Sequence, residues 1–254
     1  MGILLAERGR FQVLIAENDR EIRMAQQLRY DVFFRLRDGQ AGDGPVSGED
    51  ALDTDRFDSQ FRHILVMDRE GGRVVGTYRF QSGAEAKRGL GFYSAVEYQL
   101  EGVAFDTDFF EVGRSCVAED FRGGAVISLL WLGLTELQQR EHYRHLFGCV
   151  SLPVSQLAEA WEIYDSQQQA GALDPVIRGV PQPGYRVGRP RENAVGGALP
   201  PLLKGYLRLG ARIAGEPVLD VAFGTVDLLI HLDFYRMTDR YFRHYETSRK
   251  RGAA

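Results

Sequence analysis

The sequence has little cysteine and no long apolar segment. Its two cysteines, Cys116 and Cys149, are too few for a disulfide scaffold and lack the CxxC spacing of a zinc ribbon. No run approaches the roughly 18 apolar residues that a membrane-spanning helix needs, and the apolar stretch at residues 3–6 is too short for a signal peptide. These absences predict a cytoplasmic protein.

The chain also lacks an excess of charge of one sign. Its net charge is −4 over 254 residues, with 26% charged and 44% hydrophobic residues, which is typical of a soluble globular protein. A nucleic-acid-binding protein would favour a strongly basic surface, so we expect no nucleic-acid partner.

Several catalytic motifs are missing. The sequence contains no GxGxxG after a predicted strand, no GxxxxGK[ST], no HExxH and no GxSxG. The five histidines are scattered, so a metal site built from them would need long-range convergence that the sequence cannot show. Redox, nucleotide-driven and zinc chemistry are therefore disfavoured, and we expect no metal.

Hydrophobic periodicity predicts an α/β (α+β) domain with a mixed sheet. Strands are predicted at 11–16, 63–68, 74–80, 109–117, 146–151, 218–221 and 225–232. Helices are predicted at 19–33, across 127–137, at 155–169, at 199–207 and, as a basic segment, at 236–251. Two Gly- and Pro-rich stretches, 38–51 and 172–198, are predicted to be irregular, and the second is a candidate binding loop.

Six charged residues, three of them inside predicted strands, indicate either a structural ion network or a substrate cradle. The candidates are Arg29, Asp55, Asp58, Arg79, Glu111 and Arg114. Glu111 and Arg114 should face opposite sides of a regular strand, and a bulge would change that. The acidic run that begins at Asp53 departs from the EF-hand pattern, so it holds a cationic substrate group or hydrogen-bonds a loop.

Two further features are compatible with anionic partners. The turn Arg122-Gly123-Gly124-Ala125 leads from a strand into a helix, where free backbone N–H groups can receive a phosphate, although plain chain geometry also explains it. Lys204, Arg208 and Arg212 recur every four residues and are predicted to form one basic helix face. That face is either simply solvated or complementary to an acidic protein or an anionic lipid surface.

Ten short motifs, in order along most of the chain, resemble the ornithine N-acyltransferases, relatives of acyl-homoserine-lactone synthases in the GNAT superfamily. They are LRYDVF at 28–33, DxDxFD at 53–58, HILV at 63–66, VGTYR at 75–79, GFYS at 91–94, EVGRSCV at 111–117, LLW at 129–131, LFGC at 146–149, LPPLLKGY at 199–206 and FGTxD at 223–227. The last two motifs, at 199–206 and 223–227, favour the ornithine N-acyltransferases over the lactone synthases.

The resemblance implies a GNAT fold, a mixed central sheet splayed open and flanked by helices. It implies one domain over residues 1–254, with a family-specific extension from about residue 172. The implied reaction transfers a (3-hydroxy) fatty acyl group from acyl carrier protein to the α-amine of an amino acid, ornithine above all, and gives lyso-ornithine lipid. GNAT enzymes grip coenzyme A with a Q/R-x-x-G-x-G/A turn, and Ala125 and Ile127 depart from it, which favours the carrier-protein donor. No permanently bound cofactor is implied.

The resemblance also assigns roles to residues. Glu111 is the candidate base, and Tyr164 is the candidate proton donor to the leaving thiolate. Arg29 belongs to the substrate-binding set, in which Arg79 and Arg114 would hold the amino-acid carboxylate, while Asp53, Asp55 and Asp58 would hold a side-chain ammonium. Backbone N–H groups near Cys116 and Val117 would bind the oxyanion, and the residues from Arg122 through Gly123 and Gly124 to Ala125 would receive the phosphopantetheine.

Two alternatives remain open at this stage. The acceptor could be another amino acid or amine, because no residue identifies it uniquely. The chain could instead be a non-catalytic module that binds carrier protein or membrane through Lys204, Arg208 and Arg212. Because a long-chain N-acyl product is amphiphilic, we also expect peripheral contact with the inner face of the membrane.

Overall fold

The structure is a computed structural model that describes residues 2–35, 51–191 and 199–237. Its strands are β1 (Ile3–Arg8), β2 (Phe11–Ile15), β3 (Arg62–Asp68), β4 (Arg73–Ser82), β5 (Tyr98–Glu101), β6 (Phe109–Val117), β7 (His145–Pro153), β8 (Arg178–Pro181), β9 (Arg212–Ile213), β10 (Val218–Asp220) and β11 (Thr225–Asp233). Its α-helices are α1 (Asp19–Tyr30), α2 (Gly83–Arg88), α3 (Ala125–Glu141), α4 (Leu157–Gln169) and α5 (Pro201–Leu209).

The described residues fall into two compact units. The first unit comprises residues 2–35, 51–81 and 112–142, and the second comprises 82–111, 143–191 and 199–237. Strand β6 contributes to both, since the boundary lies between Glu111 and Val112.

The first unit is an antiparallel sheet covered by α3. Strands β1 to β4 pair in chain order, and α3 packs on β1, β2 and β3. The helix lies close to the sheet at Gly133, since a Cβ atom there would be 2.9 Å from Cγ1 of Val13. The packing therefore selects glycine at this point of the helix.

The second unit combines a parallel and an antiparallel pairing. Residues Phe109 to Glu111 of β6 pair in parallel with His145 to Phe147 of β7, and β7 pairs with β11 in antiparallel fashion over nine residue pairs. Strands β10 and β9 join β11, while β5 and β8 form a separate two-stranded sheet. The hydrophobic core of the second unit includes the fully buried Tyr98, Phe147 and Leu229.

Local signals explain where the helices begin and end. Asn18 caps α1, since its side chain accepts a hydrogen bond from the N–H of Glu21 at 3.1 Å. Pro201 occupies the first turn of α5, and Gly210, with φ of +100°, ends it. The chain continues after α1 as a π-helix over Asp31–Arg35.

These elements confirm the predicted α/β (α+β) class with a mixed sheet, and β6 has the predicted bounds. One prediction is wrong: Arg212 does not share a helix face with Lys204 and Arg208, because α5 stops at Leu209 and Arg212 lies in β9. The predicted segment at 38–50 and the basic segment from residue 238 onward lie outside the described residues.

Strands β1, β5, β8 and β9 and helix α2 were not predicted, and β8 lies inside the stretch predicted to be irregular. In the part of the chain that the structure describes, no helix has the length and apolar character that a bilayer crossing requires.

Candidate active site

The first unit holds a closed ring of alternating charges. Arg29 contacts Asp58, with Nη1 2.9 Å from Oδ1, and Asp58 contacts Nη1 of Arg79 at 2.8 Å. Arg79 then contacts Asp55 at 2.7 Å, and Asp55 contacts Nη2 of Arg114 at 3.0 Å. Asp53 closes the ring, since its Oδ2 lies 3.2 Å from Nε of Arg114 and 2.8 Å from Nε of Arg29.

Most of this ring is removed from solvent. The side chains of Arg29 and Arg79 are 0% and 1% exposed, whereas those of Asp55 and Arg114 are 20% and 11% exposed. Three guanidiniums balance three carboxylates, so the ring has no net charge. It therefore fits the predicted ion network in five of six members, with Asp53 in the place predicted for Glu111, and its edge at Asp55 and Arg114 is open to solvent.

The ring lowers the pKa of Asp58. Burial would raise the pKa of Asp58, but hydrogen bonds and attraction from Arg29 and Arg79 outweigh it and hold this pKa well below the ordinary range. His63 is buried beside the ring, and burial together with the nearby Arg29 lowers its pKa to about 4. His63 is therefore neutral at physiological pH.

Strand β6 is irregular at the ring. Arg114 has φ of +51°, which is uncommon for a residue with a side chain. This conformation breaks the alternation of the strand, so the expected opposite orientation of Glu111 and Arg114 does not follow. Backbone strain of this kind clusters at functional sites.

Glu111 lies in the second unit and is 1% exposed. Its Oε2 accepts a hydrogen bond from the N–H of Tyr93 at 2.8 Å, and its Oε1 accepts one from the N–H of Ser94 at 2.6 Å. Tyr93 and Ser94 open a 3-10 helix, Tyr93–Val96. One backbone turn thus holds both oxygens of the carboxylate.

The predicted phosphopantetheine turn precedes α3 as expected. Gly124 is the N-cap with φ of +95° and makes no side-chain cap, and Gly123 has open space where a Cβ would stand. Arg122 and Ala125 are exposed. Burial raises the pKa of the Cys116 thiol strongly, which agrees with a small buried residue rather than a nucleophile.

A cavity of about 430 Å³ adjoins this region within the first unit. It borders Ala118 and Glu119, which directly follow Val117, and its apolar lining includes Met24, Leu28 and Val74. Charged residues share this lining, among them Arg73 and Asp120, which pair with each other.

Tyr164 occupies a different place, on α4. It is 8% exposed and borders a cavity of about 220 Å³ together with Gly179, Gly215 and Glu216. Burial, and next the Glu216 carboxylate, raise the pKa of Tyr164. Among the described residues, the lining of that cavity does not include Glu111 or the Tyr93–Val96 turn.

Sequence reasoning missed two side-chain groups of the second unit. Glu97, Cys149 and Asp227 bring potential ligand atoms within 4.8 Å of one another, and burial, followed by these two carboxylates, raises the pKa of Cys149 far above its ordinary value. Two of the scattered histidines also converge, with His145 Nδ1 3.0 Å from His231 Nε2. These groups join residues that are distant in sequence, so no local sequence pattern predicts them.

The basic residues predicted to dock a partner are all exposed. Lys204 and Arg208 lie one turn apart on α5. Arg212 pairs in register with His231 and donates from Nη1 to the Leu173 carbonyl at 3.4 Å.

Residues 28–132 match the family model described as an acetyltransferase (GNAT) domain. The chain is 32% identical to the L-ornithine N(alpha)-acyltransferase of Brucella abortus, over 96% of this chain and 91% of that protein. It is 30% identical to the enzyme of the same name from Rhodobacter capsulatus, over 95% of this chain and 96% of that protein.

Among solved structures, a CoA-dependent acyl-homoserine lactone synthase with SAM and isopentyl-CoA has a TM-score of 0.50 and 15% identity, covering 91% of this chain and 82% of that one. This likeness concerns the fold. The sequence matches lead to one conclusion: this chain is an acyltransferase that belongs to the L-ornithine Nα-acyltransferase family within the GNAT superfamily.

Proposed function

We propose that this protein transfers a long-chain (3-hydroxy) acyl group from acyl carrier protein to the α-amine of ornithine and forms lyso-ornithine lipid. One observation carries the proposal: four curated relatives that match at least 95% of this chain are all named L-ornithine N(alpha)-acyltransferase. The reaction is aminolysis of a thioester, which requires a neutral amine, a donor for the oxyanion and a thiolate that can leave.

Glu111 is the proposed base. The amine nitrogen attacks the thioester carbonyl carbon, the C–S bond breaks, and the amine proton passes to the Glu111 carboxylate. We assign backbone N–H groups near Cys116 and Val117 to the oxyanion and Tyr164 to protonation of the leaving thiolate. No permanently bound cofactor takes part in this scheme.

The acceptor contacts are assigned to the open edge of the ring. Arg114 and Asp55 are its most exposed members, and they carry the two charges that an amino acid with a cationic side chain needs. Arg114 would bind the α-carboxylate and Asp55 the side-chain ammonium. Arg29, Asp53, Asp58 and Arg79 would support this pair from behind.

The donor contacts follow from the cavity beside Ala118. Acyl-phosphopantetheine would enter past Arg122, Gly123, Gly124 and Ala125 and place its apolar part in the cavity of about 430 Å³. Lys204 and Arg208, and separately Arg212, would attract the acidic carrier protein or the inner face of the membrane. This attraction weakens as salt rises.

Mass spectrometry of products tests the proposal. The protein is incubated with 3-hydroxyacyl carrier protein, or with the matching coenzyme A thioester, and an equimolar mixture of free amino acids. We expect N-acylornithine from the carrier-protein donor. Another N-acyl amino acid would correct the acceptor, and equal turnover of the coenzyme A thioester would correct the donor.

Salt-sensitive binding of carrier protein without product from either donor would instead indicate a non-catalytic module. Sedimentation with anionic vesicles at low salt tests membrane contact separately, and a protein that stays in the supernatant would contradict it.

A further inference from the structure

The segment Gly91-Phe92-Tyr93-Ser94 brings two backbone N–H groups to one carboxylate. Gly91 has φ of +84°, and nothing lies within 4 Å of where its Cβ would stand, so glycine is required there by backbone conformation alone. The chain then turns into the 3-10 helix at Tyr93, and the next two N–H groups reach the two oxygens of Glu111.

Strand β7 fastens this turn in place. The ring of Phe92 meets the ring of Phe147 edge to face, with centroids 5.1 Å apart, and the Cys149 thiol lies 3.8 Å from the Ser94 hydroxyl. Phe147 and Cys149 are two residues apart, so their side chains lie on the same face of β7.

Phe147 contacts both the turn and the strand of Glu111, because it is also the register partner of Glu111 in the parallel pairing of β6 with β7. Strand β7 thus fixes the position of Glu111 in the sheet and the position of the turn that grips its carboxylate.

We propose that the backbone of this turn is the positioning element for acyl transfer, and that the N–H groups of Tyr93 and Ser94 aim the Glu111 carboxylate at the attacking amine. The inference rests on the proposed function, in which Glu111 takes the amine proton. The two backbone donors bind one oxygen each and thereby fix the plane and the direction of the carboxylate.

Tyr93 offers a way to remove one donor without reshaping the chain. It is the first residue of its 3-10 helix, a position that tolerates proline. Phe92 before it has φ of −77° and ψ of 141°, the conformation that a residue preceding proline adopts. Tyr93→Pro therefore deletes the N–H that reaches Oε2, and Tyr93→Ala deletes the same side chain but keeps the N–H.

Steady-state kinetics of the two variants tests the proposal. We expect kcat of Tyr93→Pro to be about 10- to 100-fold below that of Tyr93→Ala, because a small displacement of a catalytic group costs this much. KM for the acyl donor should be equal in both. The acidic limb of the pH–rate profile should move to higher pH in Tyr93→Pro only, since a lost donor destabilises the ionised carboxylate.

Val154→Pro is the matched proline control, because Val154 is the exposed first residue of another 3-10 helix of the same unit. It should show the wild-type profile. Equal kcat and coincident pH profiles for Tyr93→Pro and Tyr93→Ala would overturn the proposal, whereas a wild-type protein that yields no product would overturn the proposed function itself.

If Tyr93→Pro does not fold, Gly91→Ala carries the same test, since it strains the turn without meeting a neighbouring atom. Gly72→Ala in the β3–β4 hairpin is its control, with φ of +63° and equally open space. A lower kcat with a shifted acidic limb in Gly91→Ala alone supports the proposal, and identical profiles for both glycine variants refute it.

Discussion

The ion ring of the first unit and the Glu111 turn of the second hold carboxylates in different ways. Each aspartate of the ring contacts two guanidiniums: Asp53 contacts Arg29 and Arg114, Asp55 contacts Arg79 and Arg114, and Asp58 contacts Arg29 and Arg79. In the turn, two uncharged backbone N–H groups hold both oxygens of Glu111.

Guanidiniums and backbone N–H groups both favour an ionised carboxylate, but only guanidiniums cancel its charge. Guanidiniums neutralise the carboxylates they bind and lower the pKa of Asp58, which makes that aspartate a poor proton acceptor. Neutral donors fix the direction of a carboxylate without cancelling its charge. The ring thus joins α1, β4, β6 and the 53–58 segment, whereas the turn holds the carboxylate that we propose as the base.

The largest effect is expected from breaking the ring at its most buried member. Arg29→Met leaves Asp53 and Asp58 short of a counter-charge in a buried site, which should reduce the free energy of unfolding by about 3–5 kcal/mol. Chemical denaturation measures it. Arg178→Ala is the control, because the Arg178–Glu101 pair is 73% and 46% exposed, and it should cost less than about 1 kcal/mol. Similar losses in both variants would contradict the structural role.

Glu111→Gln should lower activity rather than stability. Amide substitution removes the proposed base, so kcat should fall by at least about 100-fold, while the thermal midpoint changes little relative to the Arg29 variant. Glu101→Gln, at an exposed position of β5, should keep wild-type turnover. Wild-type activity in Glu111→Gln would remove Glu111 from the mechanism.

The sequence predicts the elements whose signals are local. The start of α1 and the bounds of β6 lie in short stretches of chain, and the structure confirms them. The small sheet of β5 and β8 joins four-residue strands almost eighty positions apart. Such pairing depends on tertiary packing, which no window of the sequence contains.

The site follows the same rule. Side-chain charge predicts five of the six ring members, because buried charges need partners, but it names Glu111 in the place of Asp53. Its closure by Asp53 is a tertiary contact with Arg29 and Arg114, and the hydrogen bonds to Glu111 come from backbone N–H groups, which every residue except proline possesses. Backbone donors have no signature in the sequence, and so Tyr93 and Ser94 were visible only as part of a family motif.

Lowering the pH should reduce the stability of the folded protein in two steps, the first at His63 and the second at Asp58. In the unfolded chain His63 has the ordinary pKa of 6.5, whereas in the folded protein its pKa is about 4. Between pH 6.5 and pH 4 the unfolded chain therefore binds more protons. The free energy of unfolding should fall over this range as the pH is lowered, by up to about 3 kcal/mol. Asp58 has a lowered folded pKa, so its contribution is complete above about pH 4 and is lost as the pH falls further.

Denaturation at a series of pH values measures both steps. His63→Gln should flatten the first step, and His142→Asn, at an exposed position beyond the end of α3, should not. A slope that persists unchanged in His63→Gln would assign the first step to other groups.

The smallest expected effect distinguishes the two edges of the ring. Asp55 is 20% exposed and Asp58 is 8% exposed, so Asp55→Asn should cost about 1 kcal/mol of unfolding free energy and less than Asp58→Asn. If Asp55 also contacts the acceptor, its variant should raise KM for ornithine while KM for the acyl donor stays constant. A purely structural Asp55 would lower stability and leave the ornithine KM unchanged, and this outcome would place the whole ring behind the site rather than in it.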